Sequence, residues 1–185
     1  MRPASLLTLA VLAAACASTG GSGTSSRPVT QTVRIDGAGS LNIANSTATA
    51  AVATLPFSVD QAWSALPAVY DSLSIPVTHA DAAGHVLANE GLKVRARLGK
   101  TALSRYLDCG NTQMGPSADN YEITLAIATQ LKPSGSASTT VETTLEATAK
   151  SIQFAQSATK CSSKGVLEPR VSVLLTSLLA AKGAR

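Results

Sequence analysis

Three cysteines carry most of the chemistry this chain could do. Cys16 lies directly behind an apolar leader, whereas Cys109 and Cys161 stand in loop-like surroundings far along the chain. If the first is acylated or removed, an even pair remains. In an exported chain an even pair reads as one disulfide. A bridge closing a loop of about fifty residues is worth roughly 4 kcal/mol in the chain-entropy model. The alternative is a metal site that joins both thiolates to His79 or His85. Neither CxxC nor HxxxH spacing is present, so no metal and no other cofactor is expected. Hydrolytic and nucleotide motifs are missing too: there is no GxSxG, no HExxH and no Walker loop. Asp and Glu total only 11, and they are scattered. The chain reads as non-catalytic.

The sharpest surface feature is cationic. Leu92–Leu98 alternates, with Leu92, Val94, Ala96 and Leu98 on one face and Lys93, Arg95 and Arg97 on the other. Lys100 and Arg105 follow closely. These cations could face the phosphates of lipid headgroups or another anionic envelope polymer. Against that, Glu122, Glu142 and Glu146 fall on the wet faces of sibling strands, where cross-strand pairs would neutralise the patch. Aromatic residues make up 3% of the chain, too few to stack single-stranded bases, so a nucleic-acid partner is excluded. His79 and His85 flank one turn, either as polar turn-edge groups or as a pH-sensitive pair. Trp63 is expected on a helix face over the sheet. Its role there is core packing or, with Leu174 and Leu178 of the last helix, lining a groove for an apolar ligand.

Residues 1–15 read as an export signal. Arg2 precedes the apolar run Leu6–Ala15, which is shorter than the roughly twenty residues a membrane-spanning helix needs. Ala13-Ala14-Ala15-Cys16 resembles the lipobox of bacterial lipoproteins, in which the cysteine becomes the lipidated first residue. The usual leucine three places before the cysteine is replaced by Ala13, with Leu12 one place further back. Ala13-x-Ala15 and Ala15-x-Ala17 also suit the ordinary signal peptidase, and cleavage after Ala17 would discard Cys16 and release a soluble protein. The anchor adopted is a lipid on Cys16, with residues 16–29 as a flexible Gly/Ser/Thr tether. Ala17 is not an aspartate. By resemblance to Gram-negative lipoproteins, the anchored chain would then reach the outer membrane and face the periplasm.

Residues 30–185 remain for a single domain of ordinary size. The formal charge of +4 falls to about +3 once Arg2 leaves with the leader, a mild value. Thr32–Asp36 and Ser40–Ala44 flank a Gly-containing turn and suggest a hairpin. Ala48–Phe57 reads as extended. Ser58-Val59-Asp60-Gln61 is a capping box that opens a helix, and Pro67 inside it predicts a kink near Trp63. Val59, Trp63, Leu66, Val69 or Tyr70, and Leu73 fall on its apolar face. Val77–Ala80 and His85–Asn89 flank a turn. Tyr121–Leu131 and Thr139–Ala149 alternate cleanly around the loop Lys132–Ser138. Glu168-Pro169 opens a last helix whose stripe is Val171, Leu174, Leu175 and Leu178. The expected class is α+β: strands, helix, strands, helix, with an antiparallel sheet covered on one face.

The segment FSVDQAW (Phe57–Trp63), the Leu66 and Leu73 stripe, LSIPV and the apolar hairpin behind it together resemble a helix-grip domain. Their order is similar to that in the lipoprotein subunits of the bacterial outer-membrane β-barrel assembly machine. The resemblance covers Ala48 to Lys182. It implies a curved antiparallel sheet holding one long terminal helix, and a non-catalytic role binding other envelope proteins. The alternative is a carrier or sensor that holds an apolar ligand between the last helix and the sheet.

Overall fold

The computed structural model describes residues 49–154 and 157–183. Cys16, the leader, the tether and the expected hairpin over residues 32–44 lie outside the described residues. In chain order the elements are β1 Thr49–Leu55, α1 Val59–Ser72, β2 His79–Asp81, β3 Val86–Arg95, β4 Leu107–Asp108, α2 Ser117–Asn120, β5 Glu122–Pro133, β6 Thr139–Lys150, β7 Thr159–Ser163 and α3 Leu167–Gly183. Two small ribbons, Arg97–Leu98 with Thr101–Ala102 and Asn111–Thr112 with Gly115–Pro116, decorate the excursion between β3 and β5.

Period-two patterning makes the centre of the sheet. Along β5, Ile123, Leu125, Ile127, Thr129 and Leu131 are buried, and their neighbours are half-buried. Along β6 the buried set is Thr139, Val141, Thr143, Leu145, Ala147 and Ala149. The two strands pair over their full length, from Thr139 opposite Pro133 to Lys150 opposite Glu122. The sheet order is β2-β3-β5-β6-β7-β4, and every ladder is antiparallel. The far edge of β6 is shared. Its first half pairs with β1, and Ala147–Ala149 pair with β7.

The helices cover one face, so the fold is α+β with an antiparallel sheet. The Ser58 hydroxyl accepts from the Gln61 amide at 3.3 Å, and the Gln61 side chain accepts from the Ser58 amide at 3.0 Å. This is the capping box the sequence spells. α1 continues through Pro67, which sits on its exposed side. It buries Ala62, Leu66, Val69 and Tyr70. α3 packs on α1, β1 and β6. Its buried stripe is Leu167, Glu168, Val171, Ser172, Leu175 and Leu179, while Leu174 and Leu178 are only half-buried at its flank. The expected stripe was rotated. A helix with leucines at 174, 175, 178 and 179 does not fix its own phase, and contact with β1 and β6 selects the i, i+4 row.

The basic strand also differs from expectation. The sequence suggests separate strands at His85–Asn89 and Leu92–Leu98. Most of both form one strand, β3, with a bulge at Glu90 and Gly91 between Asn89, opposite Ile127, and Leu92, opposite Leu125. β3 then stops at Arg95, because Ala96 adopts φ 61° and turns the chain away. A left-handed alanine carries no signal in the sequence.

Candidate functional site

The sheet has two unlike ends. At one, the Ala82–His85 turn meets α1: Trp63 packs edge-on against His85, with ring centroids 5.6 Å apart. His79, on the edge strand β2, keeps a buried Nε2 that has no partner among the described residues. At the other end, Arg95, Glu122 and Lys150 stand side by side on adjacent strands. The excursion from β3 to β5 and the chain leaving β6 gather there.

A disulfide ties these loops down. Cys109 and Cys161 are bonded, with Cα atoms 4.2 Å apart and 52 positions between them in sequence. The bridge joins the end of β4 to β7. Beside it, Ser162 and Ser163 pair with Asp108 and Leu107. Lys164 adds two contacts to the same segment: its amide donates to Tyr106 O at 2.8 Å and its ammonium to Ser104 O at 2.7 Å. The Ser104 amide in turn donates to Asp119 at 2.9 Å, which holds α2 against the excursion.

These supports frame an open cleft of about 410 Å³. Met114, Asn120, Tyr121, Ser151, Ile152 and Phe154 contribute to its walls. Three of them are large apolar side chains left in water: Met114 is 68% exposed, Phe154 63% and Ile152 50%. The Asn120 amide donates to Met114 O and Pro116 O, which fixes the Gly115 turn, and the Ser151 hydroxyl accepts from the Gln153 and Phe154 amides. Both walls of the cleft are therefore held by side-chain-to-backbone bonds. Sequence reasoning missed this site. Its signal was there: Met114 in Asn-Thr-Gln-Met-Gly-Pro-Ser and the alternating Ile152-Gln153-Phe154 are isolated apolar residues in otherwise polar loops.

The five expected cations do not share one face. Lys93 and Arg95 lie on the outer face of β3, and Lys93 reaches Glu122 at 3.9 Å. Arg97, Lys100 and Arg105 follow the break at Ala96 and ride the excursion, where Arg97 donates to Lys100 O at 3.2 Å. Glu142 pairs with Lys132 at 2.8 Å, near the opposite end of the sheet. At the strand positions facing and flanking Glu122, the described residues place three cations, Lys93, Arg95 and Lys150, to one carboxylate.

At the expected apolar-ligand groove the last helix packs on the sheet. Val171 and Leu175 of α3 are fully buried in the same cluster as Ile127, Val141 and Leu145 of the sheet. Trp63, Leu174 and Leu178 pack against this cluster from its margin.

Tyr70 and Glu168 are titratable groups buried in the core. The Tyr70 hydroxyl donates to Leu87 O at 2.9 Å and lies 3.1 Å from the Thr129 hydroxyl, which in turn is 3.1 Å from that of Thr143. Burial pushes the Tyr70 hydroxyl well above the ordinary tyrosine range. Glu168, in the first turn of α3, accepts from the Ser163 hydroxyl through Oε1, while Oε2 is buried without a partner among the described residues. Burial raises its pKa above the ordinary glutamate value, and the Ser163 hydrogen bond opposes that shift. No three His, Cys, Asp or Glu side chains among the described residues come together as metal ligands.

Comparison with known protein families and with characterised proteins finds no match for this chain.

Proposed function

We propose that this protein is a non-catalytic interaction or assembly module of the bacterial envelope, anchored by a lipid on Cys16 and facing the periplasm from the outer membrane. The observation that carries the reading is the exposed apolar cleft beside a cluster of cations, mounted on loops stapled by Cys109–Cys161. Such a surface works by contact. The disulfide suits an oxidising compartment, which agrees with an export signal. The sheet–helix order also suits the likeness to lipoprotein subunits of the β-barrel assembly machine. Burial of Val171, Leu175 and Leu179 in the core cluster counts against the carrier alternative.

The test is affinity purification of the tagged, lipidated full-length chain from membranes. Stable recovery of β-barrel assembly proteins is expected. Recovery of the chain free of any envelope protein would overturn the assembly role.

A further inference from the structure

The cleft end of the sheet combines two features. Three exposed apolar side chains, Met114, Ile152 and Phe154, stand on two neighbouring loops. Next to them, Arg95 and Lys150 flank Glu122 at the strand ends, and Lys93 reaches the same carboxylate. Of the other acidic groups on these loops, Asp108 and Asp119 accept backbone amides at 3.0 and 2.9 Å, and so help build the loops. Glu146 lies four residues back along β6.

We infer that this end docks on a bilayer containing anionic phospholipid, with Met114, Ile152 and Phe154 entering the interface and Lys93, Arg95 and Lys150 meeting phosphates. Two physical arguments select a lipid surface over a protein. The first is size. Three partly exposed side chains offer roughly 300 Å² of apolar surface, less than the apolar share of the roughly 800 Å² per partner that a specific protein interface buries, so an envelope protein held by this chain would have to engage further faces as well. A membrane needs no such matched area, since a few apolar groups partition while nearby cations hold the surface. The second is charge. Cations outnumber carboxylates around Glu122, the complement of an anionic leaflet. The inference rests on the reading that the chain sits at a membrane, and it says which end faces that membrane.

The test uses the full chain carrying Cys16→Ser, which removes any acyl anchor. It is mixed with vesicles of phosphatidylcholine alone, or of phosphatidylcholine with phosphatidylglycerol, and bound protein is measured by flotation. Binding to the mixed vesicles and loss of binding at high salt are expected. Lys150→Ala should weaken binding roughly fivefold, and Phe154→Ser roughly tenfold. Both positions are exposed, and unchanged thermal melting verifies the fold of each variant. Equal binding to both vesicle types, no binding, or binding indifferent to Phe154→Ser would each sink the inference. If vesicles fail while envelope proteins still co-purify with the anchored chain, the lipid dock falls and the assembly role stands. The reverse pattern keeps the dock and removes the assembly role.

Discussion

Glu168 is the residue whose surroundings differ most from what its type suggests. It opens α3, where a carboxylate suits the positive end of the helix, yet it is almost completely buried and, among the described residues, satisfied at one oxygen only. Its folded-state pKa is raised by burial. An unfolded glutamate titrates near about 4.3, so above that value the folded state holds a proton the unfolded state has released. Stability therefore falls as pH rises through the window between the two values, and the loss persists above it. Glu168→Gln removes the titration. Melting curves across acid to neutral pH should show a shallower decline for the variant than for the parent, and parallel declines would contradict this assignment. The sequence placed Glu168 at a helix start but could not show its burial, which depends on β7 bringing Ser163 against it. Tyr70 is a similar case. Helical spacing put it near the apolar face, but its hydroxyl finds Leu87 and Thr129 only because β3 and β5 pair beneath it.

At the scale of elements, local rules were readable wherever they are self-contained. The capping box at Ser58 is one: donor and acceptor lie within four residues, so the sequence alone specifies them. Ser58→Ala should cost about 1 kcal/mol in denaturant unfolding, with an unchanged denaturant slope. A neutral result would mean that α1 is fixed by packing of Leu66 and Val69 alone. The alternation of β5 and β6 is equally local, and so was legible. The break in the basic strand was not. Leu92 to Leu98 alternates without interruption in sequence, but Ala96 leaves the extended region, and the Leu103 amide donates to Ala96 O at 2.9 Å. That contact comes from a later segment. It divides the cations between β3 and the excursion, so a stripe expected on one face became two groups. The cleft depends on the same kind of remote contact, since Tyr121 of one wall and Ser151 of the other are 30 positions apart in sequence.

For the molecule as a whole, the decisive arrangement is a buried apolar cluster beneath α1 and α3, with the exposed apolar residues of the cleft gathered at one end of the sheet. The disulfide holds that end together. Reducing Cys109–Cys161, which spans 52 positions, should lower unfolding free energy by up to about 4 kcal/mol. It should also release the β4–β7 segment to faster amide exchange before the centre of β5 and β6 responds. Uniform exchange across the sheet would contradict the stapling role. The account's central claim is that this domain works at a membrane, held there through Cys16. Fractionation of cells making the wild-type chain or Cys16→Ser, with mass spectrometry of the mature N-terminus, tests it most directly. The account predicts a diacylglyceryl-modified Cys16 in the outer-membrane fraction and release of the variant from that lipid anchor. Recovery of the wild-type chain as a soluble protein cleaved after Ala17 would contradict it.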